Sequence, residues 1–298
     1  MVRNADKYYF PIKESIESIL PIVDEFVVAL GDNSEGDKTR EIIESIGSDK
    51  VKIIDRVWSQ QEFIDGNIFA KETNIALSEC TGDWCFYLQA DEVVHEKDLD
   101  NIKMYCQKYL DNEEVDGFLF HYNHFFGDYD HYLPVHSWYK NEIRIVRNRV
   151  GIYSYKDAQS FRRNDNQKLN VIEIEPYIYH YGWVRPPELM QSKRQEQASM
   201  HHGIDKSTDE YLLKPNEFDY GYLGSVAEFK DTHPAVMQGF ISAIPWKHKL
   251  NYKHKGRLNR PKMKHEKFKY QLLSFLEKTF NGNRYFFGYS NWNKIKAD

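Results

Sequence analysis

Cysteine is scarce: Cys80, Cys85 and Cys106 are the only three in 298 residues, and no two form a CxxC pair. This excludes a disulfide framework and zinc-ribbon spacing, and it suits a reducing compartment with the thiols as small core residues. No apolar run approaches the ~20 residues that a membrane-spanning helix needs. The opening MVRNADKYYF holds no apolar signal core, so a cytoplasmic location is expected. Neither sign of charge dominates, because 40 Lys and Arg stand against 45 Asp and Glu. The chain therefore carries no electrostatic footprint for nucleic acid. Glycine-rich phosphate loops of the GxGxxG or GxxxxGKS type are also missing, which argues against a nucleotidyltransferase acting on sugar phosphates.

What is present is enough apolar sequence for one substantial core, with a small second unit possible. The first half alternates helical and strand-like segments, as a largely parallel α/β sheet does. Residues 12–19 read as a helix, 25–30 (EFVVAL) as a buried strand, 38–46 as a helix and 51–57 as a strand. A helix over 68–80 is stopped by Gly82, and 84–88 (WCFYL) is a third buried strand. Val2-Arg3-Asn4 reads as the end of a strand whose apolar front half is missing, so the recorded start is expected to be truncated. Beyond residue 117 come an aromatic and histidine-rich stretch, read as an acceptor loop, and strands over 142–146 and 171–178. The chain turns basic between Lys247 and Lys269, and residues 267–280 form an amphipathic helix. Aromatic residues make up 15% of the chain; such rings stack on sugars, and they also fill cores.

In doubly wound sheets ligands sit beyond the carboxyl ends of the strands. Two polar clusters hold that position: Gly31 to Asp37 after EFVVAL, and Gln89-Ala90-Asp91-Glu92 after WCFYL. Adjacent carboxylates at a strand end can aim oxygen ligands at Mg²⁺ or Mn²⁺, with substrate phosphates completing the shell. The competing reading is a helix start, with Asp91 as cap and Glu92 favouring the dipole. The loop Gly31 to Asp37 offers acceptors for a nucleobase or ribose, or else is a turn before a capped helix.

The ordered blocks Val2-Arg3-Asn4-Ala5, IVDEFVVALGDNSEGDKT, Asn74, Gly82-Asp83-Trp84 and FYLQADEVVHE resemble the family-2 glycosyltransferases with the A-type fold, closest to the branch of lipopolysaccharide-core glycosyltransferases. The likeness covers residues 1–190. It implies an α/β, Rossmann-like nucleotide-diphospho-sugar transferase fold, with residues 191–298 as a mainly helical, basic and aromatic extension. It further implies Asp32 on the nucleobase, Arg3 and Asn4 in the same pocket, and Gln89, Ala90 and Asp91 in place of the family's D-x-D element, with Asp91 on the metal. The neutral Gln89 departs from that element. Thr73 stands where relatives carry arginine, and Lys71 is the residue expected to supply the charge. His180, in Tyr179-His180-Tyr181-Gly182-Trp183, resembles the late histidine that completes the metal site, and an imidazole suits Mn²⁺ better than Mg²⁺.

Inverting transfer also needs a carboxylate base for the acceptor hydroxyl. Asp157 is the expected residue, with Asp128 and Asp130 as rivals. His121, His124, His131 and His136 follow no standard metal spacing. The donor implied by the resemblance is a UDP-sugar, and the acceptor is a glycan or lipid-linked saccharide. The basic C-terminal segment is a candidate for peripheral membrane contact. The alternative from another class is a non-catalytic saccharide or nucleotide-sugar binding protein on the same fold, which Gln89 and the short first strand favour.

Overall fold

The computed structural model describes residues 1–58, 67–202, 214–282, 284–286 and 290–296. Helix α1 (Ile12–Ile19) forms because Ile12, Ile16 and Ile19 recur at helical spacing and bury one stripe. Strand β1 (Phe26–Leu30), helix α2 (Thr39–Glu44) and strand β2 (Val51–Asp55) follow, and β1 and β2 pair in parallel from Phe26 with Val51 to Leu30 with Asp55. Val2 bridges Leu30 in parallel, so residue 2 does behave as strand. Helix α3 (Ile68–Ser78) leads to β3 (Trp84–Phe86). An apolar cleft of about 260 Å³ separates the β1 side from the β3 side.

The main sheet has eight strands and is mixed, not largely parallel as the alternation implied. β3 pairs antiparallel with β7 (Asn141–Arg147), and β7 pairs antiparallel with β5 (Gly117–Phe126). β5 runs parallel to the long β10 (Leu169–Trp183). Short β4 (Glu92–Val94) pairs antiparallel with the far half of β10, and β12 (Trp292–Lys294) pairs in parallel with its near half. Strands β6 (His131–Tyr132) and β11 (Ala227–Glu228) extend the β5 side, and β8 (Ile152–Tyr155) with β9 (Ser160–Arg163) form a separate hairpin. The segment GFLFHYNHFF is thus a central strand and not a loop, because its aromatic residues are buried on both faces of the sheet.

Helix α4 (Leu99–Lys108) covers one face, where Ile102, Phe118, Phe120 and Ile178 are buried together. The other face packs Phe125, Phe126, Tyr179 and Tyr181 against Phe218, Tyr220, Trp246 and Leu250. Residues beyond 190 therefore share a core with the sheet. They include α5 (Pro187–His202, which crosses that point), α6 (Gln238–Ser242) and α7 (Phe268–Phe280). Helix α7 docks through the buried Glu277, which accepts from Lys140 Nζ at 2.8 Å and His136 Nδ1 at 2.6 Å.

Glu92, fully buried, accepts both arms of the equally buried Arg144, at 2.8 and 2.7 Å, and the Tyr122 hydroxyl at 2.8 Å. Breaking such a pair from one side strands a buried charge. Arg144→Ala is expected to destabilise the protein by about 3–5 kcal/mol, read by urea denaturation, whereas Arg149→Ala at the more exposed Arg149–Asp116 pair costs less.

Candidate active site

Register brings the site together. β10 places His180 opposite Glu92 of β4 on one side and His124 of β5 on the other, and Tyr181 N donates to the Asp91 carbonyl at 2.8 Å. The ladder slips between His180 and Trp183, at Gly182, and such a bulge re-aims side chains. A Cβ on Gly182 would stand 2.5 Å from His180 Nε2 and 2.6 Å from Asp91 Oδ2. Only glycine lets those two groups approach, and they lie 3.8 Å apart.

The hydrogen bonds set the state of His180. His124 Nε2 lies 2.7 Å from the Tyr139 carbonyl, which only accepts, so that nitrogen carries the proton. Burial, with the neighbouring His180, pushes the His124 pKa well down, so the ring is neutral and its Nδ1 accepts. His180 Nδ1, 2.9 Å away, is then the donor. Burial lowers His180 too, although Asp91 opposes it. The outcome is a neutral His180 whose Nε2 lone pair faces a carboxylate. Two acceptors side by side call for a cation.

In this structure that cation is Lys193 of α5. Its Nζ lies 3.2 Å from Asp91 Oδ2 and 3.0 Å from the Gly182 carbonyl. Burial drives the ammonium down to about 7, with Arg185 adding repulsion and Asp91 opposing. Burial raises Asp91, but the positive charges of Lys193 and Arg185 outweigh it and hold the carboxyl at about 2. Arg185 is fully buried, donates to the Tyr8 carbonyl and leaves Nε and Nη2 without a hydrogen-bond partner among the described residues.

One helical turn along α5, Glu196 accepts from Arg3 Nη1 at 2.9 Å. Arg3 also donates from Nε to the Asp32 carbonyl at 2.9 Å and lies over the Trp58 ring. Asn4, buried with φ 55°, exchanges hydrogen bonds with the β1 loop, its N–H to Asn33 Oδ1 and its Oδ1 from Ser34 N, both at 2.7 Å. Asp32 accepts from Trp58 N at 2.9 Å through Oδ1 and stays largely exposed. Arg3, Asn4 and Asp32 therefore do meet, and α5 links them to Asp91.

Asp91 and His180 offer two donors of a kind that a divalent cation accepts. One carboxylate oxygen and one imidazole nitrogen suit Mn²⁺, and the gap that Gly182 keeps clear is where both point. No group of three His, Cys, Asp or Glu converges among the described residues, so substrate oxygens and water would complete the shell.

Residues 9–169 match the profile of Glycosyl transferase family 2. The chain belongs to that family. No curated protein matches it in sequence. Among solved structures it is similar to S. aureus TarS, at 16% identity and TM-score 0.39, over 71% of this chain and 41% of that one. The chain thus spans about two fifths of that TarS chain. S. aureus TarS 1–349 in complex with UDP-GlcNAc aligns at 14% identity and TM-score 0.37, over 71% and 69% of the two chains. TarS 1–349 in complex with UDP aligns at 14% identity and TM-score 0.38, with the same coverage.

The remaining expected residues of this family-2 chain are placed as follows. Glu92 opens a strand, so the helix-start reading of Asp91-Glu92 fails, and its carboxylate is taken by Arg144. Gln89 is half-buried and donates its amide to the Tyr87 hydroxyl at 3.3 Å, with Ala90 beside it. Lys71 is exposed on α3, and the charge beside Asp91 comes from Lys193 and Arg185. Asp157 sits half-buried in the β8–β9 turn between Lys156 and Ala158, both at positive φ. Asp128 is saturated by His131 and Tyr252, and Asp130 is exposed. His121, His131 and His136 each take a different partner, respectively Asn141, Asp128 and Glu277.

Sequence reasoning passed over Lys193, Arg185, Glu196 and Glu142. Glu142 is buried, with Oε2 unpartnered among the described residues; burial raises its pKa from 4.5 to about 8, Arg144 opposing and Glu92 adding to the rise.

Two expectations follow. Gly182→Ala forces His180 and Asp91 apart and should weaken Mn²⁺ binding, followed by electron paramagnetic resonance, by about tenfold or more. The folded protein holds a proton on Glu142 that the unfolded chain releases above 4.5. Stability should therefore fall as pH rises from about 4.5 to 8, by an amount on the order of a few kcal/mol, and Glu142→Gln should flatten that slope in denaturant melts.

Proposed function

We propose that the chain transfers a sugar from a nucleoside-diphosphate sugar, a UDP-sugar, to a hydroxyl of a glycan or lipid-linked saccharide, inverting the anomeric carbon. The observation that carries this reading is the pairing of Asp91 Oδ2 with the lone pair of His180 Nε2 across the gap left by Gly182, joined through α5 to the Arg3, Asn4 and Asp32 pocket. The block order quoted above favours the lipopolysaccharide-core branch.

In this reading Asp32 accepts from the nucleobase through its exposed carboxylate, while Arg3 and Asn4 line the same pocket and Gln89 hydrogen-bonds to ribose or sugar. Asp91 and His180 would hold Mn²⁺ or Mg²⁺, which would supply positive charge beside the leaving diphosphate. Lys193 holds that place in the free protein and, once displaced, brings its own ammonium to the phosphates, beside the two unpartnered N–H groups of Arg185. Glu196 must likewise release Arg3 when the nucleotide enters. Asp157 is the proposed base that takes the acceptor proton, and Glu142 is the competing carboxylate. Residues 1–190 form most of the catalytic unit, to which α5 adds Lys193 and Glu196, and the rest of 191–298 is the extension. The non-catalytic alternative draws on Lys193, which already neutralises Asp91.

The test is UDP binding by thermal shift, with and without Mn²⁺, together with hydrolysis of UDP-sugars. A ligand that binds only the native state raises the melting temperature. Asp91→Asn should abolish the Mn²⁺-dependent part of the shift and lower turnover by about 10²-fold or more. Asp157→Asn should spare the shift and lose transfer. An unchanged shift and turnover in Asp91→Asn overturns the cation assignment, and binding without turnover under any metal favours the non-catalytic protein.

A further inference from the structure

Helix α7 has two apolar faces and only one of them is used. Tyr270, Leu273, Ser274 and Glu277 turn toward the body of the protein, where Glu277 is fully buried against Lys140 and His136 and Ser274 Oγ accepts from His136 N at 2.9 Å. On the opposite side Phe268, Leu272 and Phe275 stand 78%, 45% and 60% exposed, with Phe280 at the end of the helix 71% exposed. Phe268, Leu272 and Phe275 follow the spacing i, i+4, i+7, so they form one stripe along the outer surface. Burial of the inner face cannot explain them, because a helix that merely covers a core presents polar residues to water.

The charges around the stripe are of one sign. Lys267 and Lys278 lie on one flank and Lys269 on the other, and Lys262 and Lys264 continue the row before the helix; all five are exposed. The acidic residues of this region face elsewhere, Glu277 inward to Lys140 and Glu266 to Arg260 at 2.7 and 2.9 Å. An aromatic stripe flanked by lysines matches a bilayer surface in which the rings enter the headgroup boundary and the ammonium groups meet anionic lipid phosphates. No helix among the described residues is long and apolar enough to cross a membrane.

We infer that α7 is a membrane-surface element, seated in the plane of an anionic bilayer through Phe268, Leu272, Phe275 and Phe280 and held by its flanking lysines. This inference is independent of the transfer reaction, although a lipid-linked acceptor would be met at the same surface.

The test uses the whole chain and vesicles of mixed phosphatidylglycerol and phosphatidylcholine, with pure phosphatidylcholine vesicles in parallel. Co-sedimentation is expected with the anionic vesicles, with weak or no binding to the neutral ones, and high salt should weaken it. The double variant Phe268→Ser with Phe275→Ser should lose at least tenfold in partitioning while keeping the melting temperature, since both rings lie outside the core. Lys267→Gln with Lys269→Gln and Lys278→Gln should lose the preference for phosphatidylglycerol. Failure of the wild type to bind anionic vesicles, or binding unchanged by the phenylalanine variant, overturns the inference. So does a dimer in sedimentation equilibrium that the same variant dissociates, because the stripe would then belong to a second copy.

Discussion

Two hydrogen-bond acceptors held side by side in a nearly dry place are the constraint on which this structure turns. The Asp91 carboxylate and the lone pair of His180 lie 3.8 Å apart, both more than nine-tenths buried. Such a pair is tolerable only with positive charge beside it, because a buried carboxylate left alone is costly. Lys193 supplies that charge in the free protein, and Arg185 adds to it from behind. The arrangement is preorganised by backbone: β10 lies between β4 and β5, the bulge at Gly182 opens the approach, and the Tyr139–His124–His180 relay fixes which ring nitrogen is bare.

The rest of the polar interior follows the same rule and shows how far the charge is managed. Glu92 is closed off by Arg144, Asp116 by Arg149 and Arg163, and Glu277 by Lys140 and His136. Glu142 departs from it by remaining protonated instead of finding a cation, which is the other way to bury a carboxyl. Lys193 belongs to a third class. Its partner, Asp91, also faces the lone pair of His180, and Glu196 similarly occupies Arg3. Helix α5 thus touches both Asp91 and Arg3.

The sequence made much of the frame legible. Helix α1 begins and ends where the apolar spacing puts it, and the strands EFVVAL and WCFYL and the α7 helix were visible from continuous or periodic apolar runs. The family resemblance supplied Asp32, Asp91 and His180, and the fold brings Asp91 and His180 into contact. GFLFHYNHFF was misread because two histidines, His121 and His124, among polar neighbours look like loop chemistry, whereas in a strand buried on both faces His124 points into the protein. The aromatic surplus likewise serves mainly the core, where Phe125, Tyr179, Tyr181 and Trp246 pack together.

Residue order alone determined the class of fold, the family and the candidate polar groups Asp32, Asp91 and His180, because these depend on local patterning and on motifs read along the chain. Tertiary structure decided what state those groups are in. The Lys193 that meets Asp91 lies 102 residues away, and the histidine that sets the tautomer of His180 lies 56 residues away. Strand register and the missing Cβ of Gly182 create both encounters, and neither leaves a mark in local sequence: a lysine on a helix reads as solvated until the fold buries it.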